Sequence, residues 1–435
     1  MNFNYNKKFL PAMAGMTMLA LLMITSCKSD DPAQPPVLKS TTYTSSTLNL
    51  TYDSEIMPGK SVDIKIDDSN SDKGVMTLYS QFDLTQLSGM GLNGVIPGPG
   101  VIPGSAQLSI PINFVAADGC YTFSGSYSTP CVAFKYSGVI DAEKLTLNIV
   151  DASLENKTFS GNAFAPAPIK ETGVGEYASL PFHLVWELDP AEGVQIPLSE
   201  LLKVIATAPV IPVYNNTAYM SVAQAFSNVV KTIALNPDGN IPVMYISTLG
   251  GAAHLATTTG NMIQYVPNGQ GVLLYVNPLS AVSEVLLALS KPQTDAEFVT
   301  KTSPIDTPAA LRSEGAASAD AYRIAMSPEI KDALIKSLLA TIAPQLSQGI
   351  PLEMAPTQEG ADIYFNTQTS VTFMANLMQN LLSNPVIAGT FKEYLQSIHL
   401  PQIPDGDVEA VLAQLPAYLE KTTKLEIGLS LVRMK

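Results

Sequence analysis

One run of oxygen-bearing side chains has the spacing of a metal-binding loop. Asp68, Asn70 and Asp72 stand at alternate positions, like the ligands in the first half of a calcium loop. However, Lys73 occupies the place of the glycine at loop position six, and Tyr79 that of the glutamate at position twelve. A solvated turn between two strands is therefore the default interpretation, and no cofactor is predicted.

Neither the histidines nor any known catalytic motif indicates an active site. His183, His254 and His399 lie far apart in the sequence and lack the spacing of metal ligands. The chain contains no His-Glu-x-x-His, Gly-x-Ser-x-Gly, phosphate-binding loop or dinucleotide-binding glycine pattern. A glycosidase pair of carboxylates is defined by its separation in space, so the sequence cannot nominate one. We predict that the chain is not an enzyme.

Two of the three cysteines form a candidate disulfide. If Cys27 has the separate role described below, Cys120 and Cys131 remain as a pair. An even number of cysteines in an exported protein favours a bond between them. The intervening residues 121–130 are typical of one strand and a turn, which would bring the thiols to neighbouring strands or loop ends. Two buried free thiols are the alternative.

The N-terminus has the pattern of a secretion signal. Lys7 and Lys8 precede an apolar run, residues 9–24, that is too short and too loosely apolar for a stable membrane span. The run ends in Ile-Thr-Ser-Cys27, which resembles the bacterial lipobox, where the chain is cut before the cysteine and the thiol is acylated. An ordinary signal peptide with an incidental cysteine is the alternative. We predict a signal peptide over residues 1–26 and a lipid anchor on Cys27, which makes the membrane a partner.

The residues after Cys27 bear on where the anchored protein is located. Residues 28–32, Lys-Ser-Asp-Asp-Pro, resemble the surface-export signal of Bacteroidota lipoproteins, which implies an outer-membrane protein that faces the cell exterior. A solvated linker with two aspartates is the alternative. Residues 27–42 are rich in proline and lack a core pattern, so we predict a flexible tether.

Composition limits the class of protein. The 435-residue chain has a net charge of −14, and because residues 1–26 contain two lysines and no acid, the remainder carries −16. Such an acidic body argues against nucleic acid as a partner. Apolar residues make up 46% and charged residues only 14%, which favours a well-packed, β-rich exported body. The length allows two or three domains.

Residues 43–152 have the two-residue alternation of short strands joined by turns, which predicts a small barrel or sandwich. Two Val-Ile-Pro-Gly units within residues 87–104 predict a long loop, either a flap over a binding mouth or a rigid surface loop. Residues 134–149 combine a Tyr-x-Gly strand, an acidic turn and a Lys-Leu-Thr-Leu strand. They resemble the calycin-like (lipocalin-type) β-barrel domain of Bacteroidota lipoproteins, which implies a closed barrel.

The rest of the chain predicts an α+β domain over residues 178–435, after a Pro/Gly-rich linker over residues 153–177. Apolar stripes predict helices packed on a sheet or barrel. These helices fall at 197–206, at 219–230 and in several segments after 327. Alternation over residues 424–433 predicts a closing strand that pairs with the hairpins of residues 232–276.

Three further segments resemble a Bacteroidota lipoprotein family of unknown function. They are Asp-Gly-Asn-Ile at 238–241, Asn-Met-Ile-Gln-Tyr-Val at 261–266 and Leu-Tyr-Val-Asn-Pro at 274–278. The resemblance implies a calycin-like N-terminal barrel followed by a β-rich part decorated with helices, and it brings no catalytic residues.

Fold analogy and location together suggest a function. We expect a surface lipoprotein that binds a small ligand: a glycan, a lipid or another apolar molecule. The alternative is a structural or adhesive component of the cell envelope without a small-molecule ligand. An open barrel interior would favour the first function, and a filled interior the second.

Overall fold

The structure is a computed structural model. It describes residues 37–83, 85, 94–141, 143–173, 176–189, 198–213, 218–247, 253–277, 337, 340–382, 389 and 408–434. The predicted signal peptide, Cys27 and most of the predicted tether lie outside these residues. Among the described residues, no helix combines the length and the apolar character needed to cross a membrane.

The described residues up to 154 form eleven strands in two sheets. The strands are β1 (Thr41–Thr44), β2 (Leu48–Tyr52), β3 (Glu55–Ile56), β4 (Lys60–Asp67), β5 (Asn70–Asp83), β6 (Val95–Pro97), β7 (Gln107–Asn113), β8 (Val115–Ala117), β9 (Cys120–Ser128), β10 (Val132–Ile140) and β11 (Leu145–Leu154). One sheet has the order β1-β4-β5-β6, with β7 also paired to β5, and the other has the order β3-β2-β11-β10-β9-β8. Only β2 and β11 run parallel among these described pairs.

Alternation explains how these sheets pack. Along β4, Val62 and Ile64 are buried between more exposed neighbours, and along β11, Leu145, Leu147 and Ile149 are fully buried. The buried faces of both sheets belong to one hydrophobic cluster. The predicted succession of strands is confirmed. The strands hydrogen-bond as two sheets that share a core, which is the sandwich alternative rather than a single ring of strands.

Ten later strands form one large sheet. They are β12 (Asn162–Pro166), β15 (Phe182–Leu188), β18 (Val230–Leu235), β19 (Val243–Ser247), β20 (His254–Thr257), β21 (Ile263–Asn268), β22 (Gly271–Val276), β23 (Ile350–Pro356), β24 (Gly360–Phe365) and β25 (Thr422–Arg433). Their order is β20-β19-β18-β12-β25-β24-β23-β22-β21, with β15 also on β25. Two small hairpins, β13 (Lys170–Gly173) with β14 (Glu176–Ser179) and β16 (Pro209–Val213) with β17 (Ala218–Ser221), complete the described strands.

The large sheet curls so that its far end returns to its beginning. Asn240, in the turn between β18 and β19, bridges to Gln264 of the terminal strand β21. Two backbone bonds flank this bridge, from Tyr265 N to Gly239 O (2.7 Å) and from Ile241 N to Ile263 O (2.8 Å). The fold is therefore mostly β, with a curled half-barrel sheet, and is broadly α+β in class.

The prediction that residues 153–177 form a linker is wrong for the middle of this segment. Residues 162–166 form β12, which lies inside the large sheet between β18 and β25. Phe164 is only 1% exposed and belongs to the same hydrophobic cluster as the first two sheets. The divisions at residues 152 and 178 therefore do not separate two independent cores.

The closing strand is confirmed as a strand, but its predicted neighbours are wrong. Leu425 and Leu431 of β25 are buried, as the alternation indicated. However, β25 pairs with β24 on one side, and with β15 and then β12 on the other. The hairpins of residues 232–276 lie further along the sheet.

Four longer helices are described: α1 (Leu198–Thr207), α2 (Val222–Val229), α3 (Thr367–Leu382) and α4 (Val408–Glu420). Residues of α1, α3 and α4 pack with Trp186 and Leu425 in a second hydrophobic cluster against β15 and β25. The helix predicted over 197–206 is confirmed. The segment predicted as a helix from 219 first completes strand β17, and Ser221 then caps α2 by accepting the amide of Gln224.

Candidate functional site

A cluster of polar side chains lies on one face of three adjacent strands of the large sheet. In the register of β15, β25 and β24, His183 and Tyr364 both stand opposite Gly428. Asp362 stands opposite Ser430. Because alternate residues of a strand share a face, Lys424, Glu426 and Ser430 join them on the same side. We call the group formed by His183, Asp362, Tyr364, Lys424, Glu426 and Ser430 the His183 centre.

His183 bonds to a carboxylate through each ring nitrogen. Its Nε2 lies 2.8 Å from Glu426 Oε2, and its Nδ1 lies 3.1 Å from Asp362 Oδ2. The three side chains are 13–21% exposed, so the cluster is largely buried but reachable from solvent. A ring that donates from both nitrogens is an imidazolium, so this geometry favours the charged form.

Two further groups complete the network. Ser430 Oγ donates to Asp362 Oδ1 (2.7 Å), and Lys424 Nζ lies 3.4 Å from Glu426 Oε2. Lys424 is 43% exposed, so the ammonium forms the solvent side of the cluster. With His183 protonated, the centre contains two positive and two negative charges.

An aromatic contact spans the middle strand. The rings of His183 and Tyr364 are stacked, with 4.4 Å between centroids and 20° between planes. Gly428 lies between them in sequence register, and a methyl group there would approach Ile363 O to 2.1 Å. The absence of a side chain at position 428 lets the two rings meet above the backbone of β25.

The electrostatics follow from burial and pairing. Burial lowers the pKa of His183, but its hydrogen bonds to Asp362 and Glu426 and their negative charges outweigh burial, so the net shift is upward. Burial raises the pKa of Asp362, but the bonds from His183 and Ser430 hold it below its usual value. Burial, followed by the charge of Glu426, raises the pKa of Tyr364.

The arrangement is suited to binding rather than to proton abstraction. A doubly donating imidazolium has no lone pair with which to accept a proton or bind a metal. Ser430 donates to Asp362 rather than to His183, so the three do not form a nucleophile–base relay. The centre can form hydrogen bonds and charge–charge interactions at a partly exposed surface.

Sequence reasoning missed this centre. Each histidine was considered alone, and His183 is 243 positions away from Glu426. The available signal was polar residues at alternate positions within apolar strands: His183 in β15, Asp362 in β24, and Glu426 in β25. Only the strand register brings these positions together.

The calcium candidate lies in the turn between β4 and β5 and in the first residues of β5. Asp68, Asn70 and Asp72 are all exposed. Asn70 Oδ1 accepts the amide N–H of Asp72 (3.0 Å), and Asp67 Oδ1 accepts the amide and hydroxyl of Ser69. Among the described residues, no group of three His, Cys, Asp or Glu side chains is arranged to hold a metal.

The predicted disulfide is wrong. In the hairpin of β9 and β10, Cys120 lies beside the pair Tyr121–Ile140 at one end, whereas Cys131 precedes β10 at the other end. Tyr121 and Ser128 are seven residue steps apart along β9, so the two cysteines are roughly 25 Å apart at about 3.3 Å per residue. A disulfide requires Cα atoms within about 7 Å. The structure contains no bond between them.

Residues 98–103 of the Pro-Gly loop form neither a flap nor a surface loop, whereas Gly94, Val95, Pro97 and Gly104 are exposed. Residues 98–103 are buried, and Val101 and Ile102 are each 1% exposed in the main core. The buried Lys60 ammonium donates to Pro99 O (2.7 Å) and Gly100 O (3.0 Å). Burial lowers the pKa of Lys60 to about 7. Residues 87–93 of the predicted loop lie outside the described residues.

A third polar group lies where the first strands meet the large sheet. Tyr52 Oη donates to Asp238 O (2.7 Å), and Asn261 Nδ2 donates to the carbonyls of Tyr52 (3.2 Å) and Glu55 (3.0 Å). Burial, followed by the charge of Asp238, raises the pKa of Asp53 to about 6. These contacts join the two parts of the fold.

Comparison of the chain with protein-family models, with curated proteins and with solved structures gives no match.

Proposed function

We propose that this chain is a lipid-anchored protein of the outer membrane, exposed at the cell surface, that binds a small polar ligand at the His183 centre. The lipobox at Cys27 and the acidic residues that follow it support the location. The half-buried network of His183, Asp362 and Glu426 carries the binding proposal. Paired charges are costly to desolvate, and a surface that keeps them partly accessible suits recognition of polar groups.

The proposed ligand is polar because the interiors of the first two sheets are filled. Tyr52, Met76, Leu78, Leu145 and Leu147 are at most 2% exposed and belong to one cluster. Filling of this kind matches the close packing of protein cores. It removes the support for an apolar ligand held inside a calycin-like barrel, and a ligand-binding role then depends on an outer surface.

A structural role in the cell envelope is the second candidate, and two observations favour it: the filled interior of the first two sheets and the continuity of the core. One hydrophobic cluster extends from the first two sheets through Phe164 into Tyr265, Val272 and Leu431 of the large sheet. A body with one continuous core is rigid and suited to bearing load or presenting surfaces. This candidate predicts no small ligand at the His183 centre.

A thermal-shift screen separates the two candidates. The full-length chain is screened against a library of neutral, anionic and cationic small molecules, alongside Lys424→Met and the control Lys135→Met. Lys135 of β10 forms an exposed ion pair with Asp151 of β11, in a different sheet from the His183 centre. We expect compounds that raise the melting temperature of the wild type and the control but not of Lys424→Met. Equal shifts in all three proteins, or no shift with any compound, would contradict the binding proposal.

A further inference from the structure

The His183 centre offers hydrogen-bond donors and acceptors side by side. His183 Nε2 and Lys424 Nζ both contact the same oxygen of Glu426, Oε2. The second carboxylate oxygen, Oε1, takes part in neither of these two contacts. At most one of the three N–H groups of Lys424 can point at Oε2. The Tyr364 hydroxyl can both donate and accept, and it lies within electrostatic reach of Glu426 and Lys424.

The charges around the centre select against ionic ligands. His183 and Lys424 balance Asp362 and Glu426 within the network. Two exposed acids lie on the same face, since Glu187 stands opposite Lys424 and Glu353 stands opposite Tyr364. An anion would meet this excess of carboxylates. A cation would have to displace the ammonium or the imidazolium that already pairs with Asp362 and Glu426. A neutral ligand meets neither obstacle.

The remaining surface suits a ligand with both hydroxyl groups and C–H faces. The rings of His183 and Tyr364 are stacked on each other across Gly428, so a ligand would meet the partly apolar outer parts of the rings, next to the carboxylates and the ammonium. Hydroxyl groups donate to carboxylates and accept from ammonium groups, while C–H groups pack against ring surfaces.

We propose that the His183 centre binds a neutral polyhydroxylated ligand, a sugar or short glycan without charged substituents. This inference rests on the proposed function of a surface ligand-binding protein and specifies the class of its ligand. In this complex Glu426 accepts from a ligand hydroxyl, Lys424 donates to a second, and the Tyr364 hydroxyl exchanges a hydrogen bond with a third.

Calorimetric titration of the full-length chain, in a detergent without a sugar head group, tests the ligand class. The probes are maltohexaose, cellohexaose and mannohexaose as neutral glycans, hexagalacturonate as an anion, and chitosan hexamer as a cation. We expect a neutral glycan to bind, and Tyr364→Phe to weaken that binding about tenfold through the loss of one hydrogen bond. The matched control is Tyr79→Phe, whose hydroxyl donates to Asp63 (3.1 Å) on β4; it leaves binding unchanged.

The outcomes distinguish this inference from the proposed function. If an ionic probe binds and Tyr364→Phe weakens it, the neutral class is overturned while the binding function stands. If a neutral glycan binds equally to the wild type and Tyr364→Phe, or if no neutral glycan binds, the inference is overturned. If the thermal-shift screen also finds no compound that depends on Lys424, the proposed function fails with it.

Discussion

His183 of β15 and Tyr364 of β24 stack on each other across the intervening strand β25, with 4.4 Å between ring centroids. Both residues stand opposite Gly428 in the sheet register. The stacking contact depends on the absence of a side chain at Gly428. The carboxylates of Asp362 and Glu426 both pair with the imidazole of His183.

The first prediction concerns Gly428. In Gly428→Ala the new methyl group would lie 2.1 Å from Ile363 O and 2.5 Å from Tyr364 Cβ, so the strands or rings must shift. We expect a loss of about 1–3 kcal/mol in the free energy of unfolding, as for other overpacked sites. Denaturant unfolding measures it. Gly389→Ala is the control, because no atom of the described residues lies within 4 Å of its added methyl; equal stability of both variants would contradict the prediction.

The strands around Gly428 show how far the sequence predicted the fold. Alternation correctly placed a strand over residues 424–433 and buried Leu425 and Leu431. Alternation fixes the face of a residue but not its partner strand, so the pairing of β25 with β15 and β24 was not predictable. The short β12, Asn-Ala-Phe-Ala-Pro, contains a single large apolar side chain, so its sequence predicts a linker rather than a strand. The His183 centre depends on those same long-range pairings.

The second prediction concerns the buried amine of Lys60. Its folded pKa of about 7 lies below the unfolded value of 10.5, so between these values the unfolded state binds more protons. Stability from this group therefore rises with pH. We expect wild type to gain roughly 2 kcal/mol relative to Lys60→Met between pH 7 and pH 9.

Unfolding free energies of both proteins at the two pH values measure this gain. Lys60→Met also leaves Pro99 O and Gly100 O without their donor, which costs about 1–3 kcal/mol at either pH. A constant difference between wild type and variant across this range would show that Lys60 does not change its protonation as described.

The third prediction concerns Asp53. Its folded pKa of about 6 lies above the unfolded value of 3.8, so the folded state binds more protons between these values. Stability from this group therefore falls as pH rises from 4 to 6. Asp53→Asn should remove that fall and stabilise the protein at pH 7 by up to about 1 kcal/mol after solvent screening. Asparagine also tolerates the positive φ of 47° at this position. Lower stability of the variant at pH 7 would contradict the assignment.

The fourth prediction concerns the anchor. Cys27→Ser should move the protein from the membrane fraction to the soluble fraction, because lipidation of the thiol is then prevented. Protease added to intact cells should cleave the wild type if the protein faces outwards. Unchanged fractionation of the variant would exclude the anchor, and cleavage only after lysis would exclude surface exposure.

The most direct test of the account is ¹⁵N NMR of the His183 side chain in the full-length chain, from pH 5 to pH 9, with and without the neutral hexasaccharides. Because the pKa of His183 is raised by its carboxylates, its contribution to stability is present below 6.5 and is lost as pH rises through the folded pKa. We predict that both ring nitrogens stay protonated to a higher pH than in a free imidazole, and that a bound hexasaccharide shifts their signals. A ring that titrates at or below its ordinary pKa, with signals that no hexasaccharide moves, would contradict both the charged centre and the proposed ligand.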